Sequence, residues 1–390
     1  MSFAIQHSDL RDLYDKVVAG ERLSDADALR LFDSKDINAV GAIADFVRQR
    51  KVGNRASYIL NRYINYSNYC ILSCQFCSFA RKKRDADGFE LTAEQMVQKA
   101  REALALGITE LHIVGGLHPS LPFSYYVDFL KALKALDPRL QLKCFTAIEI
   151  LHLAWLAKRS VEQTLLELKA AGLASLTGGG AEIFRKEVRS AIARGKESAE
   201  EYLDVHRIWH RLGGRSTCTM LFGHVEKLAD RVHHLSLLRA LQDETHGFTG
   251  FVPLPYQPEN NGIPVSTPPT GFDQLRTIAV SRLYLDNFDH LTAYWVGMGT
   301  KLAQVALSYG ADDLHGTILE EHIFHMAGAK SPQLQTEAEM VKAIREAGRV
   351  PVQRNTFYEP VKEWPTTATK VEPTTSSTKS KVLVDNLATA

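Results

Sequence analysis

The stretch Thr92–Gly116, TAEQMVQKAREALALGITELHIVGG, sets the architecture of this chain. TAEQMVQKAREALALG (92–107) reads as a helix with a capping Thr at its start and a Gly at its stop. ELHIVGG (110–116) follows as a strand that ends in two glycines. The same alternation extends in both directions. Upstream, RYIN (62–65) is a strand candidate that leads into a cysteine-rich loop. Downstream come a helix SYYVDFLKALKAL (124–136), a strand QLKCFTAIEI (141–150), a helix VEQTLLELKAAG (161–172) and a strand LASLTGGG (173–180). SAEEYLDVHRIWHRLG (198–213), STCTMLFG (216–223), LADRVHHLSLLRALQDE (228–244) and GFTGFVPLPY (247–256) continue the order, and a helix at 272–287 and a strand at 290–296 extend it. Strands that alternate with helices of this length predict parallel βαβ units with right-handed crossovers. Six or seven such units close, wholly or partly, into an α/β barrel, or form an open doubly wound sheet; periodicity does not choose between them. In either case functional groups belong at the C-terminal ends of the strands.

Before residue 58 the rhythm is helical. LSDADALRLFDS has Ser24 as a cap, and INAVGAIADFVRQRK continues the pattern, so residues 1–57 read as an N-terminal helical extension. The βα domain with a C-terminal elaboration then spans 58–360. PTTATKVEPTTSSTKSK offers little to bury, and 361–390 reads as a flexible tail.

The chain has 390 residues, 45% of them hydrophobic and 23% charged, which suits a globular protein with a substantial core. Its 46 Lys and Arg balance 45 Asp and Glu, which argues against a nucleic-acid partner held by a basic field. MSFAIQHSDLRDLYDK has early charges and no apolar core, so it is no secretory signal, and no segment reaches the length of a membrane span. The expectation is a cytoplasmic protein. Five cysteines without a secretion signal make a disulfide framework a poor reading.

Three of those five crowd into Cys70-Ile-Leu-Ser-Cys74-Gln-Phe-Cys77, while Cys144 and Cys218 stand alone in apolar strands and read as core. Thiolates spaced in this way can wrap one side of a small metal centre while the chain turns between them. A structural zinc or an electron-transfer cluster closes its coordination with four protein ligands. A four-iron cluster held by three leaves one iron open to a small molecule. Against this stands a zinc site completed by a distant histidine, such as His112 or His118 among the fourteen present, or clustering with no metal at all.

The Cys-x3-Cys-x2-Cys pattern, with the aromatic Phe76 just before its last cysteine, resembles the signature of the radical S-adenosylmethionine (SAM) superfamily. That resemblance implies a full or partial (β/α) barrel and a [4Fe-4S] cluster on Cys70, Cys74 and Cys77. It also implies SAM as co-substrate, chelated to the open iron through its amino and carboxylate groups. One electron from the reduced cluster would cleave the sulfonium to methionine and a 5′-deoxyadenosyl radical, with the protein supplying position and exclusion.

The resemblance gives further candidates. Gly115 and Gly116 would form a turn whose missing side chains let backbone approach the amino end of SAM. Strand alternation puts Lys143, Phe145, Ala147 and Glu149 on the inner face, where Glu149 would accept ribose hydroxyls. In TGGGAEIF (177–184), Gly179 and Gly180 suggest close approach of backbone to a ligand, and Glu182 is a catalytic candidate; a helix-capping role is its plainer alternative. TMLFGHVE (219–226) places His224 and Glu226 at a strand end as two more catalytic candidates. His206 and His210, four apart on a helix, read as packing or solvated residues.

VGGLHPSLPFSYYVDFLKALK, FTAIEI, GGGAEIF, TMLFGHVE and LQDETHGFTGFVPLPYQPENN together resemble the aminofutalosine synthase family of the futalosine route to menaquinone, from about Asn61 to Asn261 and more loosely to Pro360. Thr177 departs from the pattern, which has Pro before the glycines. This likeness implies 3-[(1-carboxyvinyl)oxy]benzoate as the small-molecule substrate. The adenosyl radical would add to its enol-ether double bond, the ring would be attacked, and a carboxylate would leave as bicarbonate or carbon dioxide. The product would be 6-amino-6-deoxyfutalosine. Asn65, Arg282 and Arg354 are candidate donors to the substrate carboxylates. A flavodoxin or ferredoxin is the implied electron donor. The sister dehypoxanthine futalosine cyclase shares the cysteine pattern and GGGAEI. Leu-His-Pro after Gly116 and Phe-Thr-Ala before Ile148 favour the synthase. Deazaflavin-forming synthases are more remote, and a zinc-stapled binding protein is the alternative outside enzymes.

Overall fold

Helix caps written in the local sequence set most of the segment boundaries. Thr92, Ser160 and Ser198 each cap a helix and form a capping box with the Gln or Glu three residues on, and Ser24 does so with Asp27. Each cap stabilises its helix by about 1 kcal/mol. The computed structural model describes residues 3–365. Its strands are, in chain order, β1 (Arg55–Ile59), β2 (Asn61–Ile64), β3 (Glu110–Ile113), β4 (Gln141–Cys144), β5 (Leu173–Leu176), β6 (Arg215–Phe222), β7 (Phe248–Pro255), β8 (His290–Leu291), β9 (Asp313–Gly316), β10 (Val350–Arg354) and β11 (Pro360–Glu363).

β2 to β8 form one parallel sheet in sequential order, with helices between the strands. The sheet curls into a half-barrel, and β9 spans the gap between its edges. Ala293 N–H, just after β8, donates to Asp313 O at 2.8 Å, and Tyr63 N–H in β2 donates to Ile318 O at 2.8 Å. β9 also pairs with β1, which pairs with β10, and β11 runs antiparallel to β10. Of the full or partial barrel expected, the partial form is present, and β9, β10 and β11 lie with β1 in a second sheet. Among the described residues four helices precede β1, and the last of them, Ile37–Val52, packs on the helix Gly271–Tyr284.

The chain after β10 covers the floor of the barrel. Thr356 donates its hydroxyl to Glu110 at 2.8 Å and its N–H to Gln141 Oε1 at 2.8 Å, and Tyr358 stacks on His290. Glu110, Gln141 and His290 are the first residues of their strands, so this segment closes the N-terminal end and leaves the C-terminal end for the site.

Two segments differ from the sequence reading. The strand expected over 141–150 stops at Cys144, and a helix runs from Ala147 to Ala157. Thr146 caps it, and Phe145 turns between the two elements at φ 64°, its ring buried against Tyr126 and Phe129. Alternation thus holds for Lys143 and Cys144 but not beyond them; Cys144 and Cys218 are core, as expected. The strand expected over 290–296 pairs only at His290–Leu291 before the short helix Trp295–Met298. His206 and His210 are buried packing residues, with His206 Nδ1 and His210 Nε2 both 2.8 Å from Ser216 Oγ. Of the expected tail 361–390, residues 361–363 belong to β11 and 366–390 lie outside the described residues. Among the described residues no helix is long and apolar enough to cross a membrane.

Candidate functional site

The loop that leaves β2 holds the three clustered cysteines, and it is fastened from several sides. Cys70 N–H donates to Arg81 O at 3.0 Å, Ile71 N–H to Leu117 O at 3.0 Å, and Gln75 N–H to Ile192 O at 2.7 Å. Lys82 donates to the Cys70 and Leu72 carbonyls, both at 2.8 Å, so its ammonium ties the loop into a turn. Cys70, Cys74 and Cys77 are all half-buried, free, and line one cavity of about 290 Å³ at the C-terminal end of the barrel. Phe76 lines it too, and with Cys74 it packs on Leu221 and Tyr256. Burial pushes the Cys74 thiol up to about 12 and raises Cys77 as well. A metal centre here must displace protons as it binds.

The donor set fits an open cluster better than a closed zinc site. His118 Nε2 lies 2.6 Å from Glu90, and its Nδ1 accepts the N–H groups of Ser120 and Leu121, so both ring nitrogens are engaged. His112 stacks on Tyr63 below the cysteines, 4.2 Å between ring centres. Among the described residues no three His, Cys, Asp or Glu side chains are arranged to hold a single ion. Three thiols at the rim of a cavity match a larger inorganic core, gripped on one side and open on the other.

The glycines beside this loop serve the loop first. A methyl group on Gly115 would stand 2.6 Å from the Tyr66 ring, and one on Gly116 would stand 2.3 Å from the Tyr69 carbonyl oxygen. Both residues line the cavity, and their smallness lets the cysteine loop lie against the β3 turn. Glu149, expected at a strand end to accept ribose hydroxyls, is instead the third residue of the helix capped by Thr146. One carboxylate oxygen accepts Tyr66 O–H at 2.7 Å and Gly115 N–H at 3.1 Å; the other accepts Thr146 N–H at 2.8 Å and its hydroxyl at 2.7 Å. These four donors fill its acceptor sites. Burial raises its carboxyl above the usual range, although the bonds oppose that shift. Its work in this geometry is to hold the Gly115 turn to the end of β4.

Across the cavity, Gly179 and Gly180 line the turn after β5, and Thr177 donates both its N–H, at 3.0 Å, and its hydroxyl, at 2.9 Å, to Phe145 O. A proline at 177 would lack that N–H. Glu182 caps no helix. It sits at φ 45° and forms a buried ion pair with Lys196, whose ammonium lies 5.4 Å from the centre of the Phe76 ring.

His224 and Glu226, read from the sequence as catalytic candidates, are not among the residues that line the cavity. Glu226 accepts Gly223 N–H at 2.6 Å, His224 N–H at 2.9 Å and Arg231 Nε–H at 2.8 Å, and both side chains are wholly buried. Strand-end position suggested function, but Arg231 five residues on draws the carboxylate away. Asn65, Arg282 and Arg354 are likewise not in the lining. Asn65 donates to Val114 O at 3.0 Å, Arg282 pairs with Asp312, and Arg354 grips both oxygens of Asp313 at 2.6 and 3.0 Å.

The deeper wall was not anticipated, apart from the inward side of Lys143. Register puts Tyr63 opposite His112 and His112 opposite Lys143, so the three form one level across β2, β3 and β4. His315 reaches this level from β9, its Nε2 3.2 Å from the Tyr63 hydroxyl. Burial holds His112 well below the usual histidine range and His315 at about 4, so both are neutral near pH 7. Lys196 was missed because RGKESAE (194–200) reads as a polar loop; the only local hint is that it follows a short helix whose Arg189 and Ile192 are buried.

Comparison with known proteins places this geometry. Residues 64–238 match the model of the radical SAM superfamily, and residues 245–368 match the CofH/MqnC C-terminal region. The chain is 42% identical over 364 residues to an aminodeoxyfutalosine synthase of Thermus thermophilus, across 92% of this chain and 98% of that one. It is 40% identical to a cyclic dehypoxanthine futalosine synthase of Streptomyces coelicolor, across 91% of this chain and 89% of the relative. Among solved structures, methylornithine synthase superposes with a TM-score of 0.70 at 19% identity, over 87% of this chain and 97% of that one, which shows the shared fold. The protein is an enzyme of group transfer with carbon–carbon bond formation that uses a [4Fe-4S] cluster and SAM. The chain belongs to the radical SAM superfamily, in the group that joins this domain to a CofH/MqnC C-terminal region.

Proposed function

We propose that the protein is an aminodeoxyfutalosine synthase. It joins the 5′-deoxyadenosyl group of SAM to 3-[(1-carboxyvinyl)oxy]benzoate, giving 6-amino-6-deoxyfutalosine, methionine and bicarbonate for menaquinone synthesis. The observation that carries the reading is a single cavity with three thiols at its mouth and a polar level beneath them, in a chain 42% identical to a synthase along nearly its full length. Leu117-His118-Pro119 and Phe145-Thr146-Ala147, the stretches that separate the synthase pattern from the cyclase pattern, add support.

Cys70, Cys74 and Cys77 would hold the cluster, and the Gly115–Gly116 and Gly179–Gly180 turns would flank SAM. When bound, the cluster supplies the electron that cleaves SAM, and a flavodoxin or ferredoxin would reduce it in turn. The chain's own part is placement and dryness. Glu149 fixes the turn after β3, and the Glu182–Lys196 pair fixes the turn after β5 beside Phe76. Leu221, Val252, Leu254 and Phe324 give the chamber apolar walls. Radical addition needs such walls, because water and stray hydrogen donors divert it. Five free cysteines fit a reducing compartment such as the cytoplasm.

Anaerobic incubation with SAM, dithionite and each candidate substrate, read by mass spectrometry, tests the reading. The synthase forms a product that contains both the adenosyl group and the benzoate. Free 5′-deoxyadenosine together with a cyclised futalosine derivative would assign the cyclase reaction instead.

A further inference from the structure

The charged side chains that line the cavity can be taken in turn. Glu149 has four hydrogen-bond donors, and Glu182 has Lys196. Glu321 accepts Phe324 N–H at 2.9 Å and lies 2.9 Å from His325 Nδ1. Lys143 remains. It is 5% exposed, lines the cavity, and its ammonium makes no hydrogen bond or ion pair with any other described residue. Its nearest anion, Glu110, sits one level lower and is bonded to Asn61 at 3.0 Å and Thr356 at 2.8 Å. The other cation of that region, Arg354, is spent on Asp313, and His112 and His315 are neutral.

Glu110 and Asp313 attract Lys143 without touching it, so its ammonium is buried with no hydrogen-bonding partner, which costs free energy unless something brought into the cavity supplies one. We infer that Lys143 binds a carboxylate of the substrate, at the barrel level it shares with Tyr63 and His112. The ligand class is an aromatic carboxylate. The stacked Tyr63 and His112 rings and Tyr294 line the same cavity as Lys143, and a benzoate ring would pack on such an aromatic wall. The deep position leaves the other end of the substrate toward the cysteines. The inference rests on the cavity being the reaction chamber, and it names the anchor that the proposed reaction needs.

The test is equilibrium dialysis of 3-hydroxybenzoate and its methyl ester against cluster-loaded protein with SAM and no reductant. Wild-type protein should bind the acid more tightly than the ester. Lys143→Met should weaken the acid by roughly 30-fold or more, the loss expected when one partner of a buried charge pair is removed. It should leave the ester unchanged, and Lys143→Arg should recover part of the acid's affinity. Iron content and SAM affinity report that each variant is folded. Equal binding of acid and ester by wild type, a change below about threefold in Lys143→Met, or parallel loss of acid and ester would each overturn the inference. The failures are distinguishable. If wild type turns over neither candidate substrate yet shows the acid preference and its loss, the synthase reading falls and the anchor stands. Normal turnover with unaltered acid binding in Lys143→Met removes the anchor alone.

Discussion

Lys196→Met should destabilise the protein without emptying its core. Glu182 and Lys196 are both almost fully buried, with side-chain exposures of 8% and 7%. The methionine keeps the length and apolar stem of lysine but leaves the Glu182 carboxylate buried without its cation. Breaking one half of a buried pair costs about 3–5 kcal/mol, whereas removing both halves is often close to neutral. Exposure of Glu182 by a local shift would lower that figure, but Leu221 N–H holds its backbone carbonyl at 3.0 Å and limits the shift. Urea unfolding of the metal-free protein measures the effect. The single variant should lose about 3–5 kcal/mol, and addition of Glu182→Gln should recover at least about half of it. A loss below about 1 kcal/mol, or strict additivity of the two changes, would refute the view that the pair braces this rim. Loss of turnover in Glu182→Gln with normal stability would instead point to Glu182 as a catalytic group.

Other expectations can be measured alongside. Burial alone would raise the carboxyl of Glu110, but Lys143 first, then the other neighbouring groups, hold it at about 2 against a usual 4.5. The folded state therefore binds this proton less readily than the unfolded chain. The stabilisation is complete above pH 4.5 and is lost as pH falls from there toward 2, by about 3 kcal/mol in all. Glu110→Gln should flatten that part of a stability–pH curve. Gly116→Ala places a methyl group 2.3 Å from the Tyr69 carbonyl, so the cysteine loop must move. Lower iron content and a loss of about 1–3 kcal/mol are expected, seen by iron assay and thermal unfolding. Glu226→Gln should cost about 2–3 kcal/mol while KM for SAM and substrate keeps its wild-type value, because the residue braces Arg231 outside the cavity.

The sequence was most legible where the chemistry is local. The cysteine triple, the Ser and Thr caps, and the βα rhythm are each contained within a few neighbouring residues. AIEILHLAWLA (147–157) was read differently because it is apolar all round and carries no helical stripe, although Thr146-x-x-Glu149 is itself a capping box. Missing that cap placed Glu149 at a strand end, whereas it is the third residue of a helix that borders the cavity. Closure of the barrel was hidden for another reason. Tyr63 and Ile318 are bonded across more than half the chain, and no periodicity records such a partner. Alternation did point Lys143 inward. That no carboxylate touches it depends on Asp313 choosing Arg354 and Glu110 choosing Asn61 and Thr356, which are tertiary facts.

The proposed function is tested most directly at the iron that Cys70, Cys74 and Cys77 would leave free. Electron–nuclear double resonance of the reduced, reconstituted protein with SAM labelled at its amino nitrogen and carboxylate oxygen reads that position. Coupling from both labels should appear, and should vanish with the cluster in Cys74→Ala. A fully assembled cluster that shows no coupling to either label, its last iron held by a side chain of the protein, would contradict it.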